Sequence, residues 1–184
     1  TPPTQFDVSI SSTDVKLVKD DLVDGETILV DVNVHNNGDI PARNVEVQGF
    51  DNDPNMGGRQ FTDRTDWRIP VINVIPPHSS HRIRLRSDTS QNAGDKKICI
   101  VVDNANKLSD SNRYNNKIVI PIHVKSKPDL AILKTEWVLA TTSTIYPDSR
   151  TVVLRARVTN KGEMDAENAV VQFYDYNARI DLFL

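Results

Sequence analysis

The chain has 184 residues, a formal net charge of −3 at neutral pH, 38% hydrophobic and 26% charged residues, and one cysteine. This composition suits one or two folded domains, lacks the basic footprint of a general nucleic-acid binder and permits no intrachain disulfide. No apolar run approaches the ~18 residues of a membrane-spanning helix, and no charged-then-apolar leader opens the sequence, so if the protein is secreted this is a mature or excised portion.

Thr1-Pro2-Pro3-Thr4 reads as the end of a linker, and residues 6–10 as a first strand that 15–18 could continue. Asp24-Gly25 marks a turn. Ile28, Val30, Val32 and Val34 then alternate with Thr27, Leu29, Asp31 and Asn33, the period of a strand with one buried and one solvated face. Asn36-Asn37-Gly38 ends that strand in a tight corner, because Asn can bond its own backbone and both residue types tolerate positive φ, the conformation expected at Gly38. Val45 and Val47 resume the alternation against Glu46 and Gln48.

Residues 51–66 form an insertion rich in Asp, Asn, Gly and Thr, and 67–74 a short strand that Pro70 places at an edge or an irregular position. Arg82, Ile83, Arg84, Leu85 and Arg86 alternate cleanly, and 96–103 and 117–124 supply two more strands, the latter at an edge because of Pro121. Roughly seven short strands with no sustained helical period predict an all-β sandwich. Lys125-Ser126-Lys127-Pro128 is the predicted boundary between domains 1–125 and 126–184, too short and proline-stiffened for free tumbling.

The second domain repeats the first. Gly162 lies 124 residues after Gly38, and between Val34 and Asp51 eight of eighteen positions recur, among them Asn36/Asn160, Ala42/Ala166, Asn44/Asn168 and Gln48/Gln172. Chance at ordinary composition gives about one. A spacing this long belongs to whole domains and not to a solenoid. It predicts a structural corner built on Asn36 and Gly38 in one copy and on Asn160 and Gly162 in the other.

A strand entering N-x-G, an Ala and an Asn-Val strand, preceded by Phe6-Asp7-Val8 or Pro128-Asp129-Leu130, resembles the CARDB family, the cell-adhesion-related domain of bacterial and archaeal surface proteins. Ile75-Pro76-Pro77 is similar to that family's apolar-x-Pro-Gly turn, with His78 in place of the Gly. Val102-Asp103-Asn104-Ala105-Asn106 through Asn115-Asn116-Lys117-Ile118 is similar to its closing pattern, with Ser109, Ser111 and Arg113 replacing some of the usual acidic residues. The resemblance covers 5–124 as one complete domain and 128–184 as the front of another. It implies an immunoglobulin-like antiparallel β-sandwich in tandem modules, the second incomplete, with an adhesive or spacer role and no chemistry.

Few residues suggest chemistry. Asp51, Asp53 and Asn55 place oxygens at alternate positions, as calcium loops do, but Met56 sits where an EF-hand needs its glycine, so a polar hairpin loop is the competing reading. Asp103, Asn106 and Asp110 form a second candidate calcium cluster against a reading as Asx turns. His78 and His81 point to opposite faces of an extended segment and do not converge on a metal unless the start of that segment is a turn. Cys99 reads as a small buried thiol. Arg82, Arg84 and Arg86 make a basic stripe, either a solvated face or a contact for an acidic polymer.

No nucleophile, base or phosphate-loop arrangement stands out. The reading is therefore a non-catalytic extracellular spacer or adhesion module of a surface or filament protein, with neighbouring domains or copies of the chain as partners. The alternative is a glycan-binding accessory module of a surface enzyme, which an aromatic platform among Trp67, Trp137, Tyr174 and Tyr176 would favour. The second copy runs only 22 residues past Gly162, so Val152, Leu154, Ala156, Val158, Val171 and Phe173 are expected to form an open apolar face. Either a longer chain completes it, or another chain does so by strand complementation.

Overall fold

The computed structural model describes residues 5–61, 69–89, 93–140, 151–174 and 179–181. The chain divides into two compact units, Thr1–Lys125 and Ser126–Leu184. The strands of the first are β1 (Val8–Ser9), β2 (Val15–Leu17), β3 (Leu22–Val23), β4 (Thr27–Asn36), β5 (Ala42–Phe50), β6 (Val71–Ile75), β7 (Ser79–Asp88), β8 (Gly94–Val102) and β9 (Lys117–Lys125). One sheet is built on β4, with β1 and β2 along one side and β7 along the other, and the second has the order β3-β9-β8-β5-β6. All of these pairings are antiparallel except β3 with β9.

The period-2 pattern explains the two layers. Val30, Val32 and Val34 of β4 are fully buried, and they join Val45 and Val47 of β5, Ile98, Ile100 and Val102 of β8, and Ile122 and Val124 of β9 in one core. Each such side chain contributes ~1.5–3 kcal/mol relative to exposure, so the alternation itself sets which face of each strand turns inward. The unit is an immunoglobulin-like β-sandwich.

Three local expectations need correction. A single 3-10 turn, Ser12–Asp14, separates β1 from β2, so residues 15–18 do not continue the first strand. β7 begins three residues before the clean alternation at Arg82 and pairs with β4 over all ten of its residues. The glycine of the corner is the third. Positive φ occurs at Gly25, Gly57 and Gly94 but not at Gly38 or Gly162.

Gly38 is instead required by close approach. A Cβ there would lie 2.2 Å from the Gln5 carbonyl oxygen and 2.3 Å from Phe6 Cα. The first strand crosses directly over the corner, with Asn37 N–H donating to the Asp7 carbonyl at 2.7 Å and Asp39 N–H to the Gln5 carbonyl at 2.9 Å. The left-handed residue is the Asn that follows: Asn44 has φ 53° and Asn168, its repeat partner, φ 54°. Asn tolerates that region better than most side chains, which accounts for its retention inside a strand sequence.

The second unit has β10 (Leu130–Ala140), β11 (Thr151–Asn160), β12 (Gln172–Tyr174) and β13 (Arg179–Asp181), with β10 antiparallel to β11 and β12 to β13. It rebuilds the corner. Lys161 N–H donates to the Asp129 carbonyl at 2.8 Å, and a Cβ on Gly162 would lie 2.0 Å from the Lys127 carbonyl oxygen. Leu130 pairs with Asn160 as Val8 pairs with Asn36. Burial differs, however. Val30 and Val34 are 0% exposed, whereas their counterparts Leu154 and Val158 are 37% and 36% exposed. Among the described residues, no side chain beyond Lys125 is buried. The side chain of Val152 lies outside the described residues.

Two outcomes follow from this geometry. Gly38→Ala is expected to cost more than ~1 kcal/mol and lower the melting midpoint of the chain by several degrees, because the added methyl must displace backbone. Gly38 does not have positive φ, so alanine meets no left-handed strain there, and a melt within ~1 °C of the parent would remove the close-approach explanation. Residues 1–125 alone should unfold cooperatively as a monomer. Residues 128–184 alone should not, and sedimentation together with thermal melting of the two pieces decides it.

Candidate functional site

The most tightly bonded polar group at the end of the sandwich is the Asn36 carboxamide, 1% exposed. Its Oδ1 accepts from the N–H groups of Gly38 at 3.1 Å and Asp7 at 3.3 Å, and its Nδ2 donates to the carbonyls of Ile40, Ile75 and Pro76 at 2.8, 3.1 and 3.2 Å. Asn160 repeats the inner part: Oδ1 accepts from Gly162 and Asp129, both at 3.0 Å, and Nδ2 donates to the Met164 carbonyl at 2.7 Å. These four predicted corner residues are structural.

The predicted calcium residues fold into two separate turns. Asp51 accepts from the Arg59 N–H at 2.6 Å and from its Nε at 3.3 Å. Asp53 caps the 3-10 turn Pro54–Met56 through the Asn55 N–H at 3.0 Å, and its other oxygen takes Lys117 Nζ at 2.7 Å. Lys117 and that N–H hold the Asp53 carboxyl below its ordinary value, and Asp53 in turn raises Lys117.

Asp103, 2% exposed, accepts from the N–H groups of Lys107 and Leu108 at 2.8 and 3.0 Å, with Arg113 Nη2 at 3.5 Å. Asn106 has φ 56° and donates its N–H to the Asp103 carbonyl, and Asp110 accepts from the Asn112 N–H and from Asn116 Nδ2. Backbone amides, the Asn116 carboxamide and nearby cations thus bond both sets of carboxylates. Among the described residues, no group of three or more His, Cys, Asp or Glu is arranged to hold a metal ion.

The basic stripe has an acidic centre that the sequence reading missed. Asp31, 7% exposed in the middle of β4, lies under Arg84 and Arg82 of β7: it accepts from Arg84 Nε at 2.6 Å and Nη2 at 3.0 Å and from Arg82 Nη2. Hydrogen bonds from Arg84, opposed by burial and joined by Arg82, lower its carboxyl to about 2. The available signal was an Asp at the centre of a Val-rich strand, where Asp is depleted. Beside it His35 Nε2 lies 2.7 Å from Asp14 Oδ1. Burial raises Asp14, but hydrogen bonds from Ser11 and His35 outweigh it, and the carboxyl ends below its ordinary value.

The remaining candidates do not converge. His78 sits in the left-handed turn residue before β7, φ 50°, with Nε2 3.0 Å from Asp39 Oδ1, while His81 is on the strand itself. Cys99 is fully buried beside Phe50 and Val101. Burial, with the Asp53 charge nearby, pushes its thiol up to about 11, which leaves it protonated and unreactive at neutral pH. Of the predicted aromatic platform, Tyr174 is 65% exposed, while Trp67, Tyr176 and the side chain of Trp137 lie outside the described residues.

The sequence profile of the CARDB family matches residues 6–119. The chain belongs to the CARDB family. The crystal structure of a CARDB domain from Pyrococcus furiosus, in complex with di-metal ions, aligns with 67% of this chain and 97% of its own length at TM-score 0.53 and 18% identity. The solution structure of the same domain aligns with 66% and 97% at TM-score 0.50 and 19% identity. A domain of a Methanosarcina acetivorans protein provisionally assigned to the cell surface aligns with 64% and 90% at TM-score 0.44 and 13% identity. No curated protein sequence matches. The match to the Pyrococcus domain establishes the CARDB sandwich fold, and His78, in the turn before β7, has φ 50°.

Among the described residues, the Asp51, Asp53 and Asp103 carboxylates already accept bonds from amides or cations of the first unit. Millimolar calcium is accordingly expected to leave the melting temperature of the full chain unchanged within ~1 °C. A rise that Asp53→Ala abolishes would restore the Asp51, Asp53 and Asn55 site, since a ligand held only by the folded state stabilises it by mass action.

Asp31 also predicts a pH effect. Its folded-state value lies below the ~4 of an unfolded Asp, so its stabilisation is present above about pH 4 and is lost as pH falls toward about 2. The stability gap between the parent and Asp31→Asn should therefore narrow between about pH 5 and pH 2.5 in denaturant titrations. A constant gap would show that the two arginines do not hold its charge.

Proposed function

We infer that this CARDB chain is a non-catalytic extracellular module, a structural spacer or adhesion element of a cell-surface or filament protein. The observation that carries the reading is the use made of its ionisable groups. Asp31, Asp51, Asp53 and Asp103 all bind backbone amides or cations of the sandwich itself, and the thiol of Cys99 is buried and protonated. Membership of an adhesion-like family supports the same conclusion. Its partners in this reading are neighbouring domains or copies of the same chain.

The corner rebuilt around Asn160 and Gly162 supports a second CARDB-like module in 126–184. Its exposed Leu154 and Val158 support completion by further strands of the same kind, because the counterparts of those residues are core in the first unit. Among the described residues, a glycan-binding role is supported by single exposed tyrosines, Tyr114 and Tyr174.

Protease treatment of intact cells carrying the protein tests the location: the chain should be cleaved without lysis, and protection until lysis would overturn the extracellular reading. A glycan array probed with the full chain separates the two roles. Saturable binding lost in Tyr174→Ala would replace the spacer with the glycan-binding alternative.

A further inference from the structure

The outer face of the β4 sheet carries a polar cleft. In one row across three strands, Lys16 of β2 stands opposite Asp31 of β4, and Asp31 opposite Arg84 of β7; in the next row Asn33 of β4 stands opposite Arg82. Asp31 and Asn33 alternate with the buried Val30, Val32 and Val34, so these rows lie on the side away from the core. The Ser12–Asp14 turn supplies a wall. The cleft measures about 310 Å³, and the described residues that line it are Thr13, Asp14, Lys16, Asp31, Asn33 and Arg82. None of these side chains is apolar.

The carboxylates of the cleft are already occupied. Asp31 accepts from Arg84 Nε and Nη2 and from Arg82 Nη2. Asp14 Oδ2 accepts from the Ser11 N–H at 2.9 Å and from the Ser11 hydroxyl, and His35 Nε2 lies 2.7 Å from Asp14 Oδ1. Donors, in contrast, are left over. Lys16 is exposed and has no hydrogen-bond or ion-pair partner among the described residues. Arg82, its side chain 68% exposed, gives Asp31 one of its five N–H groups. Two arginines against Asp31 leave one positive charge, Lys16 adds another, and Asp14 offsets one of them. The surplus is therefore cationic and rich in N–H donors, which calls for an anion with several acceptor oxygens.

We propose that this cleft binds a carboxylate-bearing sugar residue of an acidic saccharide. The carboxylate lies between Lys16 Nζ and the N–H groups that Arg82 does not give to Asp31. Ring hydroxyls meet the Asn33 carboxamide and the Thr13 hydroxyl, each of which both donates and accepts. A lipid tail would find no apolar side chain here to rest on. Asp31 holds the Arg82 guanidinium in place before the ligand arrives, which lowers the cost of ordering it on binding. The proposal gives the adhesion reading a ligand. It is tested on the purified chain, so its failure leaves the protease result on location untouched.

The test is calorimetric titration of the full chain with oligosaccharides of galacturonate, glucuronate, mannuronate, guluronate and sialate, each beside its methyl ester, and with triglutamate. At least one acidic oligosaccharide should bind saturably. Its methyl ester, which keeps the hydroxyls and loses the charge, should bind at least ~tenfold more weakly. Lys16→Gln, at an exposed position, should fold like the parent and lose at least ~tenfold in affinity. Lys97→Gln, an exposed lysine of the other sheet, changes the net charge equally and should bind like the parent. Arg82→Gln should lose as much as Lys16→Gln, and Lys16→Gln decides alone if the arginine variant fails to fold. No saturable binding by any acidic oligosaccharide, equal binding by its ester, undiminished binding by Lys16→Gln, an equal loss in Lys97→Gln, or equally tight binding of triglutamate would overturn the proposal.

Discussion

The first unit depends on one carboxamide. Asn36 joins three segments that are remote in sequence: the start of β1 through Asp7, its own corner through Gly38 and Ile40, and the turn between β6 and β7 through Ile75 and Pro76. Nearly sealed from solvent, the group cannot exchange these bonds for water, so its amide dipoles impose one arrangement on all three segments. The hydrophobic effect brings the two sheets together without specifying this registration. The Asn36 bonds specify it at the end where the chain enters, and the steric demand at Gly38 lets the incoming strand lie close enough to be held.

The charges follow a related logic at the other surfaces. Asp53 and Asp103 cap loops that would otherwise leave backbone N–H groups unsatisfied, and Asp31 sits between two guanidinium groups on a face that would otherwise be uniformly basic. A carboxylate bonded to its own loop is a poor recruit for a metal, since the ion must compete with bonds already made.

Much of the fold was legible because it is written in periodicity. The alternation at Val30, Val32 and Val34 and the repeated Asn-x-Gly corner gave strands, faces and family. What periodicity cannot encode was missed or misassigned. Gly38 and Gly162 were read as conformational glycines when the requirement is space, because sequence does not reveal which backbone crosses over a turn. The left-handed residues proved to be Asn44 and Asn168, whose recurrence was visible although its cause was not. The acidic loops were ambiguous for a similar reason: alternate oxygens are required both by calcium and by Asx turns, and the sequence does not reveal the partners that Asp51, Asp53 and Asp103 take within the fold. Asp31 was seen merely as the polar member of an alternating pair, because its arginines lie more than fifty residues away.

The one parallel pairing among the described strands has a mechanical consequence. β3 and β9 meet at Leu22 with Val124 and at Val23 with Lys125, and the Asp24 N–H adds a bond to the Lys125 carbonyl at 2.9 Å. Because the two strands run the same way, the chain arriving at β3 and the chain leaving β9 depart in opposite directions along a common axis. Tension applied between the start of β3 and the end of β9 therefore slides these strands past one another, straining their hydrogen bonds together. An antiparallel pair pulled from adjacent ends would open one bond at a time, like a zip.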